Sequence, residues 1–157
     1  MVGLLLFQTA VVSRLPLING SSDLFILFLS SWALQNKSIK NYDFALIAVV
    51  LISIVSTLPF YIYFITYFGI VILANILKKR VWQTPILALA FTIIIGTLLE
   101  HGLTIIWLRL GGNILPIIQT IGLVTVPTLL LNLILSIPVY AIISNISGSL
   151  FPSESES

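Results

Sequence analysis

Long apolar runs, separated by short polar or charged breaks, dominate the chain. A helix rises about 1.5 Å per residue, so about 20 apolar residues cross a hydrocarbon core about 30 Å thick. The pattern therefore predicts an all-α polytopic membrane protein of about six transmembrane helices, at 2–15, 24–34, 43–58, 60–77, 84–108 and 127–146. The 2–15 run is short, so it either tilts among neighbours that fill the mismatch or begins upstream of Met1.

The breaks between the runs carry residues that end helices. Pro59 disfavours helix at the residue before it, and Pro138 predicts a kink inside the last run. The segment 114–126 is apolar but too short to span, and Pro116 and Pro127 bound it. We predict that it is interfacial or re-entrant. Residues 148–157 form a short acidic tail that we predict to be disordered and cytoplasmic.

Composition supports the membrane assignment. Hydrophobic residues make up 59% of the chain and charged residues only 8%, whereas soluble domains carry about 25% charged residues. So few charges cannot cover a soluble surface, and no basic surface remains for nucleic acid. The chain has no cysteine and one histidine, which leaves no set of metal ligands. We therefore expect no cofactor and no enzymatic activity.

The basic residues predict the orientation of the spans. Cytoplasmic loops of membrane proteins carry an excess of Lys and Arg. In a six-span arrangement, the breaks after the second and fourth spans hold five cations, and the other breaks hold only Arg14 and Arg109. The five that serve as topology anchors are Lys37, Lys40, Lys78, Lys79 and Arg80. This asymmetry places both termini in the cytoplasm and Lys78–Arg80 just outside the inner face.

The fifth predicted span contains the only ionisable groups inside a span, Glu100 and His101. With Pro85 at the inner boundary, Glu100 lies about 22 Å along the helix, in the outer third of the membrane. At 100° per residue, Thr97 and Thr104 fall on the same third of the helix surface.

A line of small residues leads to Glu100 in steps of four: Ala88, Thr92 and Gly96. Small residues at this spacing let helices approach closely, so Glu100 should point into protein. Two interpretations follow: a proton or ligand site, or a structural polar contact with Arg109, Arg14 or another subunit.

Two further polar residues have predicted structural roles. Asn132 lies within an apolar run, where its amide can hydrogen-bond between helices, either as a clamp or as part of a site. Asp23 precedes the second run, where a carboxylate can cap the helix.

The order of these features resembles the rod shape-determining protein MreD family over nearly the whole chain. The clearest segments are 6–16, Ser22-Asp23-Leu24 with 31–35, the Lys78–Arg80 cluster, and 127–140, which contains Asn132. One departure concerns the end of the third run, where members of the family often carry an acidic residue and this chain has Ser53.

The resemblance implies a non-enzymatic scaffold of the bacterial inner membrane that maintains rod shape and controls where peptidoglycan is synthesised. Its implied partners are an MreC-like periplasmic protein, membrane lipid and, indirectly, an MreB-like actin, a RodA-type glycosyltransferase and a penicillin-binding transpeptidase. The implied fold is similar to that of the substrate-binding subunits of energy-coupling-factor transporters.

That similarity leaves an alternative function open. A small-molecule, vitamin-type substrate-binding subunit of a transporter would use Glu100, His101 and the aromatic residues of the 60–77 run as an outward-facing pocket. Such subunits commonly carry an alanine-rich first helix, whereas the 2–15 run contains only Ala10.

Overall fold

The computed structural model describes residues 2–4, 6, 22–35, 41–80, 84–113 and 116–150. Of these residues, 89% are helical and none lies in a strand. We number the helices from the second apolar run onward: α1 Leu24–Ala33, α2 Asn41–Val55, α3 Phe60–Arg80, α4 Pro85–Leu110, α5 Ile117–Thr120 and α6 Val126–Leu150, with a π-helical turn, Ile121–Thr125, between α5 and α6.

Three helical stretches are long and apolar enough to cross a membrane: Phe60–Arg80, Pro85–Leu110 and Ile117–Ser149. The helices α1 and α2 are apolar but shorter. This agrees with the predicted helical membrane protein. The total of six spans and the transporter-like fold stay predictions, and most of the first predicted span, 2–15, lies outside the described residues.

The short helix α1 lies at the centre of the bundle, in contact with α2, α3, α4 and α6. All of its residues except Phe28 are buried. A helix that is apolar all round is stable only when it is surrounded by protein or lipid. Ten residues rise about 15 Å, half of the hydrocarbon thickness, so α1 needs the longer helices to enclose both its ends.

The cluster Lys78–Arg80 forms the last turn of α3, whereas the apolar pattern had placed it in a loop after residue 77. Cations there complement the partial negative charge of the helix C-terminus. The Lys78 ammonium group also donates a hydrogen bond to the carbonyl oxygen of Gln35, just beyond the C-terminal end of α1. Lys37 and Lys40 lie outside the described residues.

The helix α4 begins at Pro85, as predicted, and ends at Leu110. Gly112 follows with φ of 85°, a conformation in which other residues are strained. From the positions of its apolar residues, a lipid-facing surface is predicted for α4 at Leu87, Phe91, Ile94, Leu98 and Ile105, and Leu87, Phe91 and Leu98 are exposed. The other two members of that predicted surface, Ile94 and Ile105, are half-buried.

The last apolar stretch differs from its prediction. Helix is continuous from Ile117 to Ser149, so no break separates the predicted 114–126 segment from the predicted span 127–146. The residue before Pro127 continues the π-helical turn directly into α6. Pro127 lies in the first turn of α6 and has no backbone N–H group. Backbone hydrogen bonding is already irregular at a junction between π- and α-helix, so the missing N–H costs little and the helix continues through Pro127. Of the predicted tail, residues 148–150 belong to α6 and 151–157 lie outside the described residues.

The buried side of α6 and the preceding turn is largely polar. Its buried members are spaced by three, four or seven residues and so fall on one side of the helix: Thr125, Thr128, Asn132, Ser136, Ile143 and Ser147. Small hydroxyl and amide side chains allow close packing between membrane helices and can bond to backbone or neighbouring helices. The hydroxyl of Ser136, for example, donates to the carbonyl of Leu133 at 2.6 Å.

Candidate intramembrane polar site

Asp23 immediately precedes α1 and caps it. Its Oδ1 accepts hydrogen bonds from the backbone N–H groups of Phe25, at 2.8 Å, and Ile26, at 3.4 Å. The other carboxylate oxygen, Oδ2, accepts from the hydroxyl of Tyr67 on α3 at 3.1 Å. The predicted cap is therefore confirmed, and the same carboxylate joins α1 to α3.

Asn132 connects three parts of the bundle and is completely buried. Its Oδ1 accepts from the Ser22 hydroxyl at 2.7 Å and from the Asp23 backbone N–H at 3.0 Å. Its Nδ2 donates to Thr97 Oγ1 on α4 at 2.9 Å. The amide thus links α6 to the start of α1 and to α4, which is the interhelical clamp that the sequence predicted.

Glu100 lies against Asp23, with the two carboxyl groups in hydrogen-bond contact. Ionised carboxylates only accept hydrogen bonds, so this contact needs a proton on one of the two groups. The predicted structural partners of Glu100 were Arg109, Arg14 or another subunit. Arg109 is exposed near the end of α4, and Arg14 lies outside the described residues. Within the described part of the chain, neither carboxyl group has a Lys or Arg partner.

The other residues predicted on this side of α4 occupy the same region. His101 Nδ1 lies 3.0 Å from Thr125 Oγ1 in the π-helical turn, so the unusual backbone there receives a side-chain contact from α4. The Thr104 hydroxyl donates to the carbonyl of Glu100 at 2.8 Å. Thr97 and Glu100 therefore contact other helices through their side chains, whereas the hydroxyl of Thr104 bonds within its own helix.

Two cavities meet at Glu100 and His101. The first, of about 170 Å³, has a mainly polar lining of Ser22, Asp23, Ile52, Tyr63, Glu100, His101 and Thr128. The second, of about 390 Å³, is mainly apolar and is lined by Leu58, Glu100, His101, Thr104, Ile105, Leu108, Thr120 and Val124. A single water needs a cavity of only about 10–15 Å³, so even the polar cavity is large enough for a small molecule.

The cluster is rich in oxygen atoms and ionisable groups. Its ionisable groups are two carboxyls, one imidazole and two phenols, with Tyr63 bonded to Ser56 at 2.6 Å. Among the described residues, no group of three or more acidic, histidine or cysteine side chains is arranged to hold a metal ion. The arrangement can hold a cation or a proton through oxygen atoms.

Sequence reasoning found one half of this site. Glu100, His101, Thr97, Thr104 and Asn132 were identified, because polar groups in an apolar run are conspicuous. Ser22 and Asp23, which precede α1, were missed as site residues, whereas Tyr63 and Tyr67 were included only among the aromatic residues of the 60–77 run in the transporter alternative. The available signal was Asp23 itself, which is the one carboxylate besides Glu100 that lies on the predicted outer side of the described bundle.

Searches of protein-family models, curated proteins and solved structures find no match to this chain.

Proposed function

We propose that the chain is a non-enzymatic membrane scaffold of the MreD type. The observation that carries the proposal is that two separate segments of the resemblance contact each other. The Ser22 hydroxyl and the Asp23 N–H, from the segment Ser22-Asp23-Leu24, both donate to Asn132, from the segment 127–140, across 110 and 109 positions of sequence. These buried hydrogen bonds give the two segments a structural reason to occur together in one chain.

The hydrogen bonds of Asn132 to Ser22, Asp23 and Thr97 suit a scaffold because they fix the relative positions of α1, α4 and α6. Interhelical hydrogen bonds and small interface residues hold membrane helices together where the hydrophobic effect cannot. A rigid bundle presents constant lateral surfaces to neighbouring membrane proteins. Under this proposal those surfaces bind the MreC-like protein, and through it the chain influences the MreB-like actin, the RodA-type glycosyltransferase and the penicillin-binding transpeptidase.

We place the scaffold in the bacterial inner membrane with both termini in the cytoplasm. Support for this orientation comes from the two ends of α1. Asp23 and Glu100 meet at its N-terminal end, and Lys78 contacts Gln35 at its C-terminal end. The cation cluster and the carboxyl pair therefore lie toward opposite ends of the bundle, as the positive-inside rule requires if Glu100 is in the outer leaflet.

Copurification and depletion test the scaffold. We expect an affinity-tagged copy of the chain, extracted from rod-shaped host cells in mild detergent, to retain an MreC-like protein. Depleting the chain should widen and round the cells and disperse new wall insertion. A tagged polytopic membrane protein of similar size serves as the control for nonspecific retention. Unchanged cell width and wall insertion after depletion would exclude this function.

A second candidate function is favoured by the two cavities that meet at Glu100 and His101. A vitamin-type substrate-binding subunit needs such a chamber, and Tyr63 from the aromatic part of α3 lines the polar cavity, as that alternative predicted. Native mass spectrometry of the purified chain distinguishes the candidates. A vitamin retained in stoichiometric amount would favour the transporter subunit, and copurification of an MreC-like protein would favour the scaffold.

A further inference from the structure

The carboxyl pair, Asp23 and Glu100, has no Lys or Arg partner among the described residues. Asp23 and Glu100 line the same cavity and share a contact that needs at least one proton, so no more than one of the two carboxyl groups is ionised while they touch. An uncompensated charge in a membrane interior is costly, and such groups are normally paired. A cation in the adjoining cavity would supply the missing partner.

The polar cavity is built to accept hydrogen bonds. Besides the two carboxyl groups, the hydroxyls of Ser22, Tyr63 and Thr128 line it, and each can accept as well as donate. An ammonium group carries up to three N–H donors and no acceptor, so this lining satisfies its donors. Among the described residues, no group of three or more His, Cys, Asp or Glu side chains is arranged to hold a metal ion.

The second cavity indicates that the cation has an apolar body. Its walls are formed largely by Leu58, Ile105, Leu108 and Val124, and it shares Glu100 and His101 with the polar cavity. A bare sodium or potassium ion gains nothing from apolar walls of this volume. An organic ammonium ion would place its nitrogen among the oxygens and its apolar body in the larger cavity.

We propose that the two cavities form one binding site for a small primary ammonium ion with an apolar body, whose nitrogen binds at the Asp23–Glu100 pair. The site goes beyond the scaffold function and does not rest on it. Occupancy would place a cation against the carboxyl pair and add charge-assisted hydrogen bonds from the ammonium N–H groups to the carboxyl oxygens. The ligand would thus stabilise the junction at which α1 meets α4.

Benzylammonium is a suitable probe, with benzyl alcohol as a neutral analogue of nearly the same shape. Equilibrium dialysis of the labelled probe against the full chain in lipid nanodiscs, with empty nanodiscs as background, should show saturable binding. We expect Glu100→Gln to weaken this binding at least tenfold, because the variant removes the charge while keeping the shape. Asp43→Asn is the matched control, since Asp43 is exposed in the first turn of α2, and it should bind as the wild type does.

Several outcomes would overturn the proposal. Equal binding of benzyl alcohol would show that the apolar cavity alone is responsible, and unchanged binding by Glu100→Gln would remove the carboxyl pair from the site. Dialysis in 150 mM sodium or potassium chloride, compared with N-methylglucamine chloride, tests inorganic cations. Complete displacement by either metal ion would assign the site to that ion instead.

A protection experiment needs no substituted protein. Dicyclohexylcarbodiimide modifies carboxyl groups in apolar surroundings, and peptide mass spectrometry locates the product. Saturating benzylammonium should slow the total modification of Glu100 in the wild-type chain at least fivefold, counting both the N-acylurea and the benzylamide that free benzylamine forms with an activated carboxyl, whereas benzyl alcohol should not. Equal rates with and without benzylammonium would contradict the site even if Glu100→Gln fails to fold.

Discussion

Replacing Asn132 by leucine is expected to lower the free energy of unfolding by about 2 kcal/mol. The substitution removes three buried hydrogen bonds, to Ser22, Asp23 and Thr97, and interhelical bonds in membranes contribute about 0.6 kcal/mol each. It also leaves the Asp23 N–H group without its acceptor in a buried position, which adds to the cost. Reversible unfolding in mixed detergent micelles, followed by circular dichroism, measures the change.

The matched control is Asn145→Leu on the same helix. Asn145 is exposed, so the two variants share the change in side-chain chemistry and differ in the buried contacts. We expect Asn145→Leu to stay within about 0.5 kcal/mol of the wild type, as surface substitutions usually do. Equal stability of the two variants would mean that the amide does not act as a clamp.

The Asn132 clamp shows how far sequence reasoning reaches. An amide inside Leu129–Leu133 is conspicuous, and the cost of burying it unpaired predicts that it bonds between helices. The identity of its partners depends on which helix ends meet in space. The pattern along one helix does not contain that information, so the contacts with Ser22 and Thr97 could not be predicted.

The partner of Glu100 was likewise not predictable from the sequence. The small-residue line of α4 correctly predicted that Glu100 faces protein. Charge complementarity then suggested a basic partner, but the described partner is another carboxyl group, Asp23. The helix cap of α1 fixes Asp23 in place for a local reason, and the packing of α1 against α4 brings Glu100 to it. The contact between Asp23 and Glu100 therefore results from a helix cap and from helix packing. A search of the sequence for opposite charges does not find it.

The continuous helix from Ile117 to Ser149 has a comparable explanation. Two prolines and a short apolar run favour a break, and both local signals are weak in a membrane. The π-helical turn absorbs the irregularity near Pro127, and it also directs Thr125 toward His101. Tertiary contact with α4 thus stabilises a backbone that local preference alone disfavours.

Gly96→Leu is the second substitution with a large expected effect. A Cβ atom at Gly96 would lie 2.6 Å from Ile70 Cδ1 and 2.8 Å from its Cγ1, with Ile26 Cγ2 at 3.5 Å. The glycine therefore lies at a tight contact of α4 with α3 and in ordinary contact with α1, in agreement with the predicted line of small residues. Overpacking at such a contact typically costs 1–3 kcal/mol, and a leucine should fall at the upper end, about 3 kcal/mol.

Gly102→Leu on the same helix separates overpacking from the change in helix propensity. No heavy atom lies within 4 Å of a Cβ at Gly102, so this variant keeps any gain in helix propensity without the clash. It should unfold at the same denaturant midpoint as the wild type or slightly above it, whereas Gly96→Leu should unfold well below. Adding Ile70→Ala to Gly96→Leu removes both atoms of the short contacts, so the double variant should be more stable than the sum of the single changes predicts. Strict additivity would place the cost of Gly96→Leu elsewhere than at the α3–α4 contact.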